Sequence, residues 1–333
     1  MAFQFLKERI RNFARNNLPP CSVFCRNPLV LVSFDSDFIQ AKDWFLAAFA
    51  KSPAKSIHVF LQLGWERETP ENSVPFATDI REILAACPRL KITVLANDPK
   101  EVETLSGLGL HAVFCHQNAF LDETRYPVLK VPKRYDAIYV ARITPFKRHQ
   151  LAADIKSLRL IGGYFYAGDM QYKKEILDGK LAHADYSFMV KASKIPAEIA
   201  AARCGLCLSA AEGAMFASTE YLLCGIPVVN THNLGGRDEM FPDFAVKTVP
   251  DDSAAVAAAV AGFVRSAPPP EDIRAAVLEK MKPHRKTFRT LLNEAMAPAH
   301  YPDSRPLPNK LMLRCSRQPL DYIRYGFLFP RPR

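Results

Sequence analysis

Apolar and polar positions change rhythm in a regular way along this chain. Four short apolar runs, LVLVSF (29–34), SIHVFLQLG (56–64), LKITVLAN (90–97) and HAVFC (111–115), read as strands. Between them, residues 39–51, 75–88 and 98–109 space their apolar side chains helically. The last of these carries Asp98 as a cap and Pro99 in its first turn. A second series follows at once. Residues 135–142, 161–168, 186–192, 205–209, 226–230 and 245–249 read as strands. Residues 147–158, 171–182, 195–203, 214–224, 251–265 and 271–296 read as helices, the last with a break at Pro283. Alternation of this kind predicts an α/β chain with two successive units, each a parallel sheet with helices on both faces. The Pro-punctuated residues 17–28 read as a linker.

The stretch 204–236 stands apart. Its acidic and basic content is two residues, Glu212 and Glu220, and the rest is apolar, small or neutral. AMFASTEYLLC reads as a helix apolar on nearly every face, hence buried, ending at Gly225 with Pro227 beyond. Glu220 lies inside it. A buried carboxylate requires a partner, either an Arg, Lys or water of the protein itself or a ligand. Glu212, followed by Gly213, falls in a strand-to-helix turn, the edge of an open parallel sheet where ligands bind.

Composition adds limits. At 333 residues, 49% hydrophobic and 23% charged, the chain is long enough for two cores. Its 8 Cys are scattered through apolar runs, which suits buried free thiols. Cys204 and Cys207 share one expected strand, on opposite faces, which argues against a metal or redox pair. No apolar run is long enough to span a bilayer, and residues 1–20 lack the apolar core of a signal peptide. The net charge of +10 sits almost wholly at the ends. Lys7, Arg9, Arg11, Arg15 and Arg26 face only Glu8, and residues 301–333 hold seven cations against two acids. Residues 2–15 form a basic amphipathic pattern suited to a membrane interface or to packing on a domain. A nucleic-acid binder built on these basic ends gives no reason for the two buried-stretch carboxylates.

Arg142 ends the first strand of the second series, and Lys147, Arg148 and His149 open the expected next helix. Cations there oppose the helix dipole, unless they are solvated or an anion docks on them. Together, Val140-Ala141-Arg142, Lys147, Glu212-x7-Glu220, Gly225-Ile226-Pro227-Val228-Val229, Gly235-Gly236 and Glu239 resemble the retaining nucleotide-sugar glycosyltransferases of family 4. The resemblance is firm over residues 135–265. In the first unit it rests on architecture and on the loop His116-Gln117-Asn118-Ala119-Phe120.

The resemblance implies the GT-B fold: two facing Rossmann-like domains, with the C-terminal segment crossing back to the first. It divides the chain into a basic N-terminal segment (1–26), an acceptor domain (27–133), a donor domain (134–297) and a basic crossover tail (298–333). It implies transfer of a hexose-like sugar from a nucleotide diphospho-sugar to an acceptor hydroxyl, with retained configuration. Arg142 and Lys147 would clamp the diphosphate, Glu212 would bind the donor sugar, and backbone N–H groups of Gly213, Ala214 and Met215 would meet phosphate oxygens. Glu220 would hold the ribose hydroxyls. No metal or other cofactor is implied, and Asp35-Ser36-Asp37 lies away from the matched donor residues. Acceptor-side candidates are His58, His116, Asp35 and Asp37. Acceptors of the family are often lipid-linked sugars or growing surface polysaccharides, so the basic ends suit a cytoplasmic enzyme docking on an anionic membrane, with no nucleic-acid partner. A sugar-nucleotide epimerase and a non-catalytic sugar-nucleotide binder are the alternatives. Two departures stand out. Met215 takes a position where many relatives have glycine, and LVSFDSDF replaces a glycine-rich loop in a short first domain.

Overall fold

The computed structural model of the chain describes residues 21–305 and 307. The basic stretch 2–15 and most of the basic tail lie outside them. The described residues divide into two compact units, one running to Leu121 and resuming at Lys282, the other spanning Asp122–Met281.

The first unit contains β1 (Cys21–Arg26), β2 (Leu29–Phe34), α1 (Asp35–Gln40), α2 (Lys42–Lys51), β3 (Ile57–Gln62), α3 (Pro70–Ala86), β4 (Leu90–Ala96), α4 (Pro99–Gly107) and β5 (Ala112–Phe114). The sheet order is β1-β2-β3-β4-β5. Strands β2 to β5 are parallel and β1 is an antiparallel edge. The expected linker over 17–28 is thus partly a strand: CSVFCR pairs along β2 although prolines flank it. Each parallel strand adds on the same side of its predecessor, so right-handed crossovers carry α1–α4 to one face. There Leu31, Val59, Leu61 and Ile92 meet Phe38, Phe45, Phe49, Phe76 and Ile80 in a continuous core. The alternate residues Val30, Val32 and Phe60 are equally buried, on the opposite face. Such two-sided burial is why these strands read as unbroken apolar runs.

The second unit contains β6 (Tyr135–Val140), β7 (Leu158–Ile161), α5 (Ala167–Glu175), β8 (Asp185–Ser187), α6 (Ile195–Ala200), β9 (Ala202–Cys207), α7 (Phe216–Leu223), β10 (Val228–Thr231), β11 (Val246–Val249) and α8 (Ser253–Arg265). All strands are parallel, in the order β11-β10-β9-β6-β7-β8. The chain builds outward from β6 through β7 and β8, then returns to add β9, β10 and β11 on the other side. The reversal leaves a crevice at the carboxyl ends of β6 and β9.

The final helix, α9 (Pro270–Met296), runs through Pro283 without the expected break. Its buried residues Val277, Met281, His284, Phe288, Leu292 and Met296 keep one stripe across the proline. From Lys282 on it belongs to the first unit. Phe288 supplies the cover for the sheet's second face, with its ring centroid 5.5 Å from Phe60, 5.7 Å from Phe24 and 5.4 Å from Phe120. This is the C-terminal segment returning to the first domain, and the chain has the α/β architecture of two sheets flanked by helices.

Candidate functional site

The crevice between β6 and β9 collects the loops that leave β6, β9 and β10. They are stitched together by backbone bonds: Ala210 N–H donates to Phe146 O (3.0 Å), Leu234 N–H to Ala210 O (3.0 Å) and Glu212 N–H to Leu234 O (2.9 Å). Arg142 lies two residues beyond the end of β6 and is half-buried. Its guanidinium lies 5.5 Å from the Phe146 ring centroid and 5.3 Å from that of Tyr166. Among the described residues its buried Nε has no hydrogen-bond partner. Lys147 approaches the same Phe146 ring, at 5.1 Å. Two of the expected phosphate-binding cations therefore flank one aromatic side chain.

Lys147 is 9% exposed and forms a salt bridge and hydrogen bond with Oε1 of Glu212. Ser209 Oγ donates to that same oxygen at 2.6 Å. The structure thus joins two residues 65 positions apart in sequence. Burial, reinforced by the nearby cations Arg237 and Arg142, pushes the Lys147 ammonium down to about 7. The Glu212 carboxylate against it favours the charged form.

Arg148 and His149 do not take part as the sequence suggested. No helix starts there. Two short 3-10 turns, Pro145–Lys147 and His149–Ala152, replace it, with Arg148 between them in a left-handed conformation (φ 50°). Its guanidinium turns inward, donating to Leu208 O (2.6 Å), Ser209 O (3.1 Å), Thr231 Oγ1 (2.8 Å) and His232 O (3.0 Å). It also pairs with Asp251. His149 is fully buried beside Tyr139, 4.8 Å between ring centroids, and burial holds it down to about 3, hence neutral. Arg148 is a brace for the β9 loop rather than an anion ligand.

A second brace was not read from the sequence. Arg237 is fully buried and donates to Ser209 O (3.2 Å), Thr231 O (2.5 Å) and Asp238 Oδ1 (2.9 Å). Its signal was visible: a cation directly after Gly235-Gly236, at the end of a stretch otherwise free of basic residues.

The turn Gly213-Ala214-Met215 leads into α7 and is buried throughout. Met215 itself adopts φ 45°, ψ 85°. This left-handed backbone favours glycine, which accounts for the glycine of the resembled pattern at this position. Residues 217–223 of α7 are all buried, as the sequence indicated. Two glycines fit it to its surroundings. A Cβ on Gly205 would lie 2.1 Å from the Tyr221 ring, so only glycine lets Tyr221 cross β9 and receive the Val140 N–H at 2.7 Å. Gly225 closes the helix at φ +74°. Glu220, on α7, is 7% exposed and accepts a 2.7 Å hydrogen bond from the Tyr126 hydroxyl.

The acceptor-side candidates scatter. Asp35 is buried and bonds Arg67, Gly64 N–H (3.0 Å) and Ser36 N–H (2.7 Å), holding the turns after β2 and β3. Burial and the adjacent Asp35 raise the Asp37 carboxyl. His116 caps its own turn by accepting Asn118 N–H at 3.1 Å. His58 lies near the amino end of β3, against Thr93 Oγ1 at 2.9 Å, and burial holds it down to about 4. That end is opposite the ligand edge. Cys204 and Cys207 are both fully buried thiols, raised by burial.

At the level of sequence, no family model and no curated protein matches the chain. Solved structures do. Anabaena Alr3699/HepE in complex with UDP matches with TM-score 0.56 and 15% identity, over 88% of this chain and 81% of that one. The α,α-trehalose-phosphate synthase (UDP-forming) of Burkholderia xenovorans, in complex with glucose-6-phosphate, matches with TM-score 0.60 and 13% identity, over 87% and 78%. S. aureus TarM matches with TM-score 0.59 and 12% identity over 79% of this chain, which spans only 54% of TarM. At such identities the likeness concerns architecture, and by architecture this chain has the GT-B fold of glycosyltransferases.

Proposed function

We propose that the chain is a nucleotide-sugar-dependent glycosyltransferase that retains configuration at the transferred sugar. The observation that carries this reading is the grouping of Arg142, Lys147 and Glu212 in the crevice between β6 and β9. Arg142 and Lys147 hold the donor diphosphate, and the orphaned Nε of Arg142 is suited to an anionic oxygen. Lys147 exchanges its bond to Glu212 for phosphate as the donor enters, and Glu212 then accepts sugar hydroxyls. Gly213, Ala214 and Met215 present backbone to the phosphates, and Glu220 takes the ribose diol. In the reaction the bond between the sugar's anomeric carbon and the leaving phosphate oxygen breaks. The acceptor oxygen bonds to that carbon from the same face and passes its proton to the departing diphosphate. Fixed cations act where this charge develops, so Arg142→Ala is expected to lower kcat by about 10²–10³-fold. The two cations fill the charge-neutralising role that a divalent metal has elsewhere.

The acceptor is proposed to be a sugar or lipid-linked sugar of cell-surface polysaccharide or glycolipid synthesis, met on the cytoplasmic side by peripheral docking through the basic ends. Among the described residues no helix is long and apolar enough to cross a membrane. A thermal-shift panel of nucleotides and nucleotide-sugars tests the donor assignment. Stabilisation by one donor, lost in Glu220→Ala, is expected, and no shift with any member would sink it. Release of nucleoside diphosphate only when acceptor is present separates transfer from epimerisation and from mere binding.

A further inference from the structure

The carboxylate of Glu220 is already held from the protein side. Tyr126 lies in the segment that opens the second unit and donates its hydroxyl to Oε1 at 2.7 Å. That segment is not loosely placed. Arg274 bonds the backbone carbonyls of Tyr126 and of Leu223, the last residue of α7, and donates to Glu123 O at 2.8 Å. One guanidinium thus ties the backbone that carries Tyr126 to the helix that carries Glu220. The helix is fixed in turn, because Tyr221 accepts the Val140 N–H. A phenol anchored in this way holds its carboxylate at a set angle and does not swing aside as a gate would. Burial and the Glu220 charge both raise the Tyr126 hydroxyl's pKa, so it stays a donor throughout the working range. A donated O–H offsets part of the cost of burying a carboxylate at 7% exposure. A carboxylate has about four lone-pair sites, so one phenol does not exhaust it.

We infer that Tyr126 is a positioning residue that fixes Glu220 for the two hydroxyls of a ribose and so makes the site prefer ribonucleotides to 2′-deoxyribonucleotides. This rests on the reading of Glu220 given above. The logic is that of a site built around a hydroxyl. When the 2′-hydroxyl is missing, a carboxylate that cannot reorient loses that one hydrogen bond without replacing it, whereas a loosened one turns to water. Tyr126 therefore acts on the difference between the two sugars more than on binding in general.

The test uses the full chain and titration calorimetry with ADP, GDP, UDP and CDP and their 2′-deoxy counterparts. For the base the wild type prefers, the ribo form is expected to bind at least about tenfold tighter than the deoxy form. In Tyr126→Phe, which keeps the ring, the ribo form weakens by about tenfold while the deoxy form changes less than about twofold. The ligand-free melting temperature serves as a check on folding. Equal weakening of both forms, or no change in either, overturns the role of Tyr126. Glu220→Gln separates the levels. If it collapses the ribo-to-deoxy ratio and Tyr126→Phe does not, only Tyr126 is wrongly assigned. If Glu220→Gln keeps the wild-type ratio, or no nucleotide binds the wild type, the ribose reading fails and this inference with it.

Discussion

Met215 places a side chain where the backbone favours none. At an ordinary position glycine is less stabilising than alanine by roughly 0.5–1 kcal/mol. At φ 45° the order reverses, because alanine carries the left-handed penalty of roughly 1–2 kcal/mol. Chemical unfolding should therefore rank Met215→Gly above Met215→Ala, although both lose the buried methionine. Lys147 gives a second outcome. Its folded pKa, about 7, lies below the unfolded value near 10.4, so above pH 7 the folded chain holds fewer protons there than the unfolded one. Its contribution to stability accordingly rises with pH between those values. A bound diphosphate favours the charged form, so nucleoside diphosphate binding at pH 8 should take up protons. Affinity should fall as pH rises through 7. Calorimetry in buffers of different ionisation enthalpy measures the uptake, and Lys147→Arg should abolish it. The sequence marked Arg142, Lys147, Glu212 and Glu220 as candidates because charge is conspicuous against apolar or strand-end surroundings, and the structure groups the first three. The contact of Tyr126 with Glu220 was not legible, because it joins residues 94 positions apart.

Elements were legible where one period dominated. The apolar runs of β2, β3 and β4 and the all-round apolar α7 appear where the pattern placed them, whereas β9 starts at Ala202, inside the expected helix 195–203 and three residues before the expected strand 205–209. The expected helix over 147–158 does not form although KRHQLAAD has helical spacing, because the structure spends Arg148 on four oxygens of neighbouring loops. Those long-range bonds outweigh local propensity. β1 was hidden by its prolines, and the stripe of α9 outlasts Pro283. The fit of α7 on β9 is the element-scale dependency to test. Gly205→Ala would force a methyl into the Tyr221 ring and should cost about 1–3 kcal/mol as overpacking. Tyr221→Phe, which leaves only the Val140 N–H without its acceptor, should cost about 1–3 kcal/mol. Lowered denaturant midpoints in both variants would check the two costs.

At the scale of the molecule, the units solve burial differently. The second reverses its strand order and has a crevice for that reason, whereas the first adds its parallel strands in one direction and has its helices α1–α4 on one face. The other face depends on residues after Lys282, and Phe288→Ala should destabilise the chain by about 3–5 kcal/mol, read as a lowered denaturant midpoint. The two-unit plan was legible from the strand–helix alternation, but which helices cover which face was not, since coverage follows from strand order. The basic ends carry a prediction of their own: binding to vesicles containing anionic lipid that weakens with salt, with deletion of residues 1–20 reducing it. Equal binding to neutral vesicles would remove the membrane proposal.

The last helix also sets a timetable. Val30, Val32 and Phe60 leave the ribosome well before the side chain that covers them, Phe288, is made. All of residues 122–281 is translated in between, which at about 5–20 residues per second is a wait on the order of ten seconds or more. During that interval the nascent first sheet presents an apolar face to the cell, a natural client surface for chaperones. A ribosome stalled before codon 282 would release a chain whose first sheet lacks its cover.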